Sequence, residues 1–202
     1  MSRPLSETTR EVYDRHAERY DAVRSKAWGE ARWLARFADA LPPKGRILDL
    51  GCGSGRPIAE WLIGEGFALT GVDFSEKLLD LARARWPDGD WRLCDMRTLD
   101  LGETFDGIVC WDSFFHLTQE EQRTGLPRLA AHLNVGGTLM VTVGPAAGEL
   151  TGEVEGDPVY HASLSPAEYA QTLEACGMLM TAFFAEDPKC NGHSVLMARR
   201  VA

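Results

Sequence analysis

Three acidic residues stand where a chain can do chemistry with them. Asp49 lies in the run Ile47-Leu48-Asp49-Leu50, ahead of glycines at 51, 53 and 55; Asp73 follows Gly71-Val72, and Asp95 follows Cys94. Each closes a short apolar run, so each belongs at the tip of a strand. In open parallel sheets, ligands sit outside the carboxyl ends of the strands. Glycine admits positive φ and lets a ligand reach the backbone, so Gly51-Cys52-Gly53-Ser54-Gly55 reads as a cradle. The spacing is D-x-G-x-G-x-G. It departs from the dinucleotide fingerprint G-x-G-x-x-G, whose third glycine would fall on Arg56 or Ile58, and no Gly-Lys-Ser/Thr follows for a phosphate loop. An acid before the turn repels a pyrophosphate and suits a cation. Asp73 can accept both hydroxyls of a ribose, and Asp95 can accept from an adenine amino group. Three acids after three successive strands fit a positively charged adenosyl ligand.

A fourth apolar run leads into Trp111-Asp112-Ser113-Phe114-Phe115-His116. A histidine titrates near neutral pH, which makes His116, with Asp112 beside it, the candidate base. The plainer alternative is that His116 packs beneath the ligand or caps the next helix. The segment 144–164 carries Glu149, Glu153, Glu155, Asp157, Tyr160 and His161. It reads as an irregular, acidic stretch: a solvated loop, or a lid suited to a cationic or amine acceptor. The neighbourhood of Cys190 and His193 reaches toward the same pocket from the end of the chain and has no metal-ligand spacing.

These residues need a scaffold. Val12, Ala17, Tyr20 and Val23 predict one helix and Trp33, Leu34 and Phe37 a second, before Leu41-Pro42-Pro43-Lys44-Gly45 breaks the pattern. Strands are then expected over 46–50, 67–72, 90–94, 105–111 and 137–143. Between them fall a helix opening at Arg56, one capped by Ser75, and one opened by the Thr118/Glu121 capping box. Ser165-Pro166-Ala167-Glu168 opens another helix by a cap, a proline and a box partner. Strands over 178–185 and 193–199 leave no room for a helix between them and predict an antiparallel hairpin at one edge. Strands alternating with helices imply a mostly parallel sheet covered on both faces.

The chain is 202 residues with a net charge of −9, 45% hydrophobic and 25% charged. That is an ordinary globular composition and excludes a disordered or collagen-like chain. The negative charge argues against nucleic acid as partner, because such binders show a basic face. Five cysteines without a C-x-x-C pair predict neither structural zinc nor a full disulfide set, and suit a reducing, cytoplasmic setting. The first twenty residues lack the apolar core of a signal peptide, and no run approaches a membrane span.

With these residues in place, the chain resembles the class I S-adenosylmethionine-dependent methyltransferases, specifically the small single-domain type acting on small molecules. The likeness covers about residues 8–144, and the remainder only as architecture. The resemblance implies a Rossmann-like, seven-stranded sheet with one antiparallel edge strand, and S-adenosylmethionine as cofactor. It implies that Asp49, Gly51, Cys52, Gly53 and Gly55 wrap the methionine part, that Asp73 with Phe74 binds ribose, and that Asp95 with Met96 flanks adenine. It places Cys110 and Trp111 near the sulfonium. Tyr13-Asp14, Tyr20-Asp21 and Arg24 resemble a leading helix that folds over the cofactor, although Tyr13 and Tyr20 suit plain helix packing equally. Cys52, Cys94 and Cys110 are also expected as small residues at tight turns or in the core. One domain is expected: a helical cap over 1–44, a cofactor-binding core over 45–144, a substrate lid over 145–164, and a helix and hairpin over 165–202. The expected activity is methyl transfer to a small-molecule acceptor by a monomer or homodimer, without metal, nucleic acid or membrane. The alternatives are an NAD(P)-dependent oxidoreductase and a non-catalytic adenosyl-binding protein.

Overall fold

The computed structural model describes residues 3–24 and 29–202. Two helices, Leu5–Arg24 (α1) and Ala31–Ala38 (α2), come first. Strand and helix then alternate through Arg46–Leu50 (β1), Ile58–Gly64 (α3), Ala68–Asp73 (β2), Glu76–Arg85 (α4), Asp90–Leu93 (β3), Phe105–Cys110 (β4), Gln119–Ala131 (α5) and Leu133–Val143 (β5). A hairpin of Gly148–Val154 (β6) and Asp157–Ser163 (β7), the helix Pro166–Ala175 (α6) and a second hairpin of Met178–Asp187 (β8) and His193–Arg200 (β9) follow.

The main sheet runs in the order β3-β2-β1-β4-β5-β9-β8. The first five of these strands are parallel. The expected hairpin closes one edge, with β9 antiparallel to both its neighbours. That antiparallel strand therefore lies one place in from the edge, and the outermost strand, β8, points with the parallel set. Period-2 alternation buries both faces of the sheet. Ile47, Val109 and Met140 pack with Trp33, Leu34 and Phe37 of α2 and with α3, while Leu48, Ile108, Leu139 and Val141 pack under α5 and α6.

Helix starts follow their caps. Ser75 Oγ accepts from Leu78 N at 3.2 Å, and Thr118 and Glu121 exchange both bonds of their box. At α6 only half of the expected box forms. Ser165 accepts from Glu168 N, but the Glu168 carboxylate is drawn to Arg123 Nε at 2.8 Å. α3 begins at Ile58, where the helical pattern of 58–63 begins, rather than at Arg56, and Arg56 and Pro57 still belong to the turn.

The larger departure is 144–164, which is mostly a hairpin rather than an irregular loop. Glu155 and Gly156 both take positive φ at its tip, the geometry of a two-residue turn matched to strand twist. Its signal was weak because β6 is exposed along most of its length, so its residues do not alternate, and β7 carries Pro158. The hairpin gains its buried side from α1: Val12, Tyr13 and Ala17 pack with Val154 and Val159, and with Leu78 of α4. Among the described residues no helix is long and apolar enough to cross a membrane.

Gly107 lets α2 dock on β4, since a Cβ there would lie 2.6 Å from Phe37 Cζ and 2.9 Å from Leu41 Cδ1. Gly107→Ala should cost about 1–3 kcal/mol through overpacking, read as a lower urea midpoint with an unchanged slope. An unchanged midpoint would show that α2 is not held this closely.

Candidate functional site

Four strand tips and α1 enclose a narrow cavity of about 60 Å³. Gly51, Gly53, Asp73, Phe74, Asp95, Met96, Asp112, His116 and Tyr20 of the expected residues line it. Gly51, Gly53 and Gly55 all take positive φ, at 79°, 54° and 79°, which only glycine adopts without strain. Over Gly51 lies Ser113, whose Cβ would be 2.3 Å from a Cβ at that position. Gly53 by contrast meets nothing nearer than Leu78 at 3.9 Å, so its side of the backbone stays open toward a ligand.

Asp73 is buried and its two oxygens accept from Gly53 N and Ser75 N, both at 2.8 Å. Burial pushes its carboxyl up to about 6 despite those bonds. Asp49 is 2% exposed, and its Oδ2 has no hydrogen-bond partner. Burial, and then the nearby Asp73, push it up to about 7. A buried acceptor without a donor is costly, so its partner has to come from a water, an ion or a ligand rather than from the protein. Asp95 caps a short turn at Met96–Thr98, with Oδ1 accepting from Arg97 N and Nε at 3.0 Å.

Other expected residues stand away from the cavity wall. Cys52 packs into a small core with Ala59, Leu79, Ala82 and Trp91, and burial drives its thiol well up. Gly55 backs onto Trp86. Cys110 lies in the core under α5, its Sγ 3.1 Å from Ser113 Oγ. Trp111 alternates to the opposite face and packs with Trp33 and Cys190. Arg24 pairs with Glu30 at 2.5 Å and approaches Asp112 at 3.7 Å.

α1 carries more of the site than its sequence pattern shows. Tyr13 and Tyr20, seven residues apart, share a helix face and form an edge-to-face pair with centroids 5.1 Å apart. Asp14 accepts from Ser75 Oγ at 2.6 Å, and Asp21 binds Ser54 and Arg85. These bonds latch the helix over the glycine turn and α4. At the other side Arg15 and His16 hold Asp157 of the β6–β7 turn.

His116 is fully engaged. Its Nδ1 faces the Tyr160 carbonyl at 2.9 Å and must carry the proton, so Nε2 accepts from Tyr13 Oη at 2.9 Å. Burial pushes its pKa down to about 4, so it stays neutral. Asp112 takes φ 51° directly after β4, with its N–H donating to Thr142 Oγ1 at 2.8 Å. Its carboxylate receives His193 Nε2 at 2.7 Å. The sequence brings the His193 neighbourhood to this side, but no spacing names Asp112 as its partner 81 positions away. Beyond the Asp112–His193 pair and His116 opens a second, wider cleft of about 410 Å³ between the β6–β7 hairpin and the start of β9. Among the described residues no cluster of three or more histidine, cysteine or acidic side chains could hold a metal.

The sheet order, the glycine turn and the acids at successive strand tips define a Rossmann-like nucleoside-binding domain. Comparison with known proteins makes this specific. Residues 47–137 match the family model described as a methyltransferase domain. The chain is 30% identical over 150 residues to dTDP-4-amino-2,3,4,6-tetradeoxy-D-glucose N,N-dimethyltransferase of Saccharopolyspora spinosa, a match covering 70% of this chain and 59% of that protein. The fold is shared with 1,6-didemethyltoxoflavin-N1-methyltransferase of Burkholderia thailandensis (TM-score 0.76, 20% identity, 100% of this chain and 92% of that one). It is shared also with the CcbJ methyltransferase of Streptomyces caelestis (TM-score 0.75, 22% identity, 95% and 98%). Residues 47–137 thus carry a methyltransferase domain, and the chain is similar to class I S-adenosylmethionine-dependent methyltransferases. It spans 39–59% of curated relatives such as the rat glycine N-methyltransferase and the amino-sugar enzyme.

The buried acids tie stability to pH. The folded protein holds protons on Asp49 and Asp73 up to about 7 and about 6, whereas an unfolded chain releases them near 4. The folded state binds more protons across that window, so stability measured without ligand should fall as pH rises from 4 to 7. Asp49→Asn should flatten that fall, followed by thermal melts at a series of pH values. Identical pH profiles for the variant and the parent protein would contradict the burial of an unpaired Asp49.

Proposed function

We propose that the protein transfers a methyl group from S-adenosylmethionine to the nitrogen of a small-molecule amine. The observation that carries this reading is the buried, unpartnered Oδ2 of Asp49 beneath the glycine turn, beside Asp73. A cationic nucleoside fits that arrangement and a pyrophosphate does not. Asp49 and the turn would hold the methionine part, Asp73 the ribose hydroxyls, and Asp95 with Met96 the adenine. Bound there, the cofactor supplies a methyl group already activated on a sulfonium. The protein then has to align the acceptor, exclude water and take up a proton.

Tyr13 and Tyr20 close the cavity to about 60 Å³, well below the ~300–1,000 Å³ of small-molecule sites. Entry of the cofactor therefore requires these rings, and the α1 helix that carries them, to yield. The cleft beyond Asp112 suits the acceptor, with the β6–β7 hairpin serving as its lid. Glu186 on its wall favours a cation, in keeping with the net charge of −9 and against a polyanion. Two relatives named above act on amines, an amino sugar nucleotide and glycine. All five thiols are free, which suits the cytoplasm.

Calorimetry with S-adenosylmethionine and with NADH tests the cofactor, the expected result being saturable binding of the first alone. Asp73→Ala should weaken that binding by about 1.5–3 kcal/mol, the range for hydrogen bonds to a charged group. An unchanged dissociation constant would remove Asp73 from the site, and binding of NADH alone would replace the reading with a hydride-transfer one.

A further inference from the structure

The five histidines differ in what their ring nitrogens face. His132 is spent on structure, with Nδ1 on the Arg128 carbonyl at 2.7 Å and Nε2 accepting from Leu101 N at 3.0 Å. His16 is held by Asp157. His116 has a donor on one nitrogen and an acceptor on the other, as described above. His193 faces two acceptors, the Cys190 carbonyl at 2.8 Å and Asp112 Oδ1 at 2.7 Å, so both its nitrogens carry protons. The Asp112 hydrogen bond raises its pKa accordingly. An imidazolium cannot accept a proton, and His116 could do so only by giving up Tyr13.

His161 is the exception. It lines the wide cleft, and neither ring nitrogen has a hydrogen-bond partner among the described residues. Its ring is nevertheless fixed, edge-on to Phe115 at 4.6 Å and against His116 at 4.9 Å between centroids. It thus stands in the wall between the cleft and the cofactor cavity. Gly152 on β6 makes the room: a Cβ there would lie 2.3 Å from His161 Cε1. The hairpin register places Gly152 diagonally across the ladder from His161.

We propose, resting on the methyl-transfer reading above, that His161 is the base that deprotonates the acceptor, and that Gly152 positions its ring. An ammonium acceptor has no lone pair to offer. It passes one proton to the free nitrogen of His161. The exposed lone pair then forms the nitrogen–carbon bond as the carbon–sulfur bond breaks, and that bond's electrons return to sulfur, leaving a neutral thioether. The proton on His161 leaves to solvent through the open cleft. The titratable groups around His161 are His116 from the turn after β4, Asp112 beyond the β4 tip, and Glu186 and His193 across the cleft, while Glu149 on β6 turns to the opposite face of the hairpin and pairs with Tyr160. Burial lowers the pKa of His161, which keeps the ring neutral at physiological pH.

The test compares the intact protein with His161→Gln and Gly152→Ala, with folding checked by thermal melts and by calorimetry with S-adenosylhomocysteine. Methyl transfer is followed as S-adenosylhomocysteine release, using dTDP-4-amino-2,3,4,6-tetradeoxy-D-glucose, glycine and simple primary amines between pH 5 and 9. His161→Gln should lower kcat by about 10²–10⁴-fold, leave S-adenosylhomocysteine affinity within twofold, and abolish an acid limb whose midpoint lies below that of an ordinary histidine. Gly152→Ala should lower kcat in the same direction. A His161→Gln kcat within threefold of the parent, with the same pH profile, overturns the proposal. Should the parent methylate none of the amines, the amine reading fails, and mapping of diethyl pyrocarbonate adducts still decides the role of His161. Modification of His161 well ahead of the other four histidines supports it, and equal or slower modification overturns it. Failure of S-adenosylhomocysteine to bind removes the methyl-transfer reading and the base with it.

Discussion

Two carboxylates share a low-dielectric pocket at adjacent strand tips, and the rest of the molecule is arranged around that constraint. Asp49 and Asp73 are both almost wholly buried, and burial pushes both toward neutrality, with Asp73 adding to the shift at Asp49 and Asp14 to that at Asp73. Asp73 is partly compensated by two backbone N–H groups, whereas one oxygen of Asp49 has none. A stable core would replace such a group with an apolar one. Its retention at the end of a ligand-binding turn gives the site a strong bias toward positive charge. The bias acts at the point where the glycine turn opens the backbone.

α1 links that bias to the rest of the chain. Its acids hold the cap residue of α4 and the far end of the glycine turn, while its basic residues hold the hairpin tip. Tyr13 spans the two halves: its ring touches Tyr20 and Phe74 over the narrow cavity, and its hydroxyl donates to His116 beside the wider cleft. Burial keeps both phenols protonated, so they serve as donors and lids rather than as bases. A single helix thereby joins the wall of the narrow cavity to the hairpin that walls the wider cleft.

The wider cleft shows how environment divides roles among like residues. Three histidines cluster on this side, His193 bonded to Asp112 and His116 packed against His161, and geometry gives each its own protonation state. His193 is a cation paired to a carboxylate, His116 a neutral bridge, and His161 a neutral ring with free nitrogens. The positive φ of Asp112 is part of that arrangement, since it turns the carboxylate toward His193 while Thr142 anchors its N–H. Such strain is held only where the surroundings fix it.

The sequence by itself determined the alternation of strands and helices, the glycine turn and the acids at three strand tips, because these depend on periodicity and on residues a few positions apart. Caps at Ser75, Thr118 and Ser165 were legible for the same reason. The β6–β7 hairpin was not, since its burial comes from α1, more than a hundred residues away, and leaves little alternation in its own strands. Nor could the sequence sort Cys52, Cys110 and Trp111 away from the cavity, because which side of a turn a residue faces depends on what packs there. His116 was singled out for its type and place after β4, yet its two nitrogens are committed by Tyr13 and Tyr160. Only the tertiary structure decided which histidine is free, because a proton's availability is set by the donors and acceptors around the ring, and these arrive from α1, β7, the turn after β4 and the β8–β9 turn.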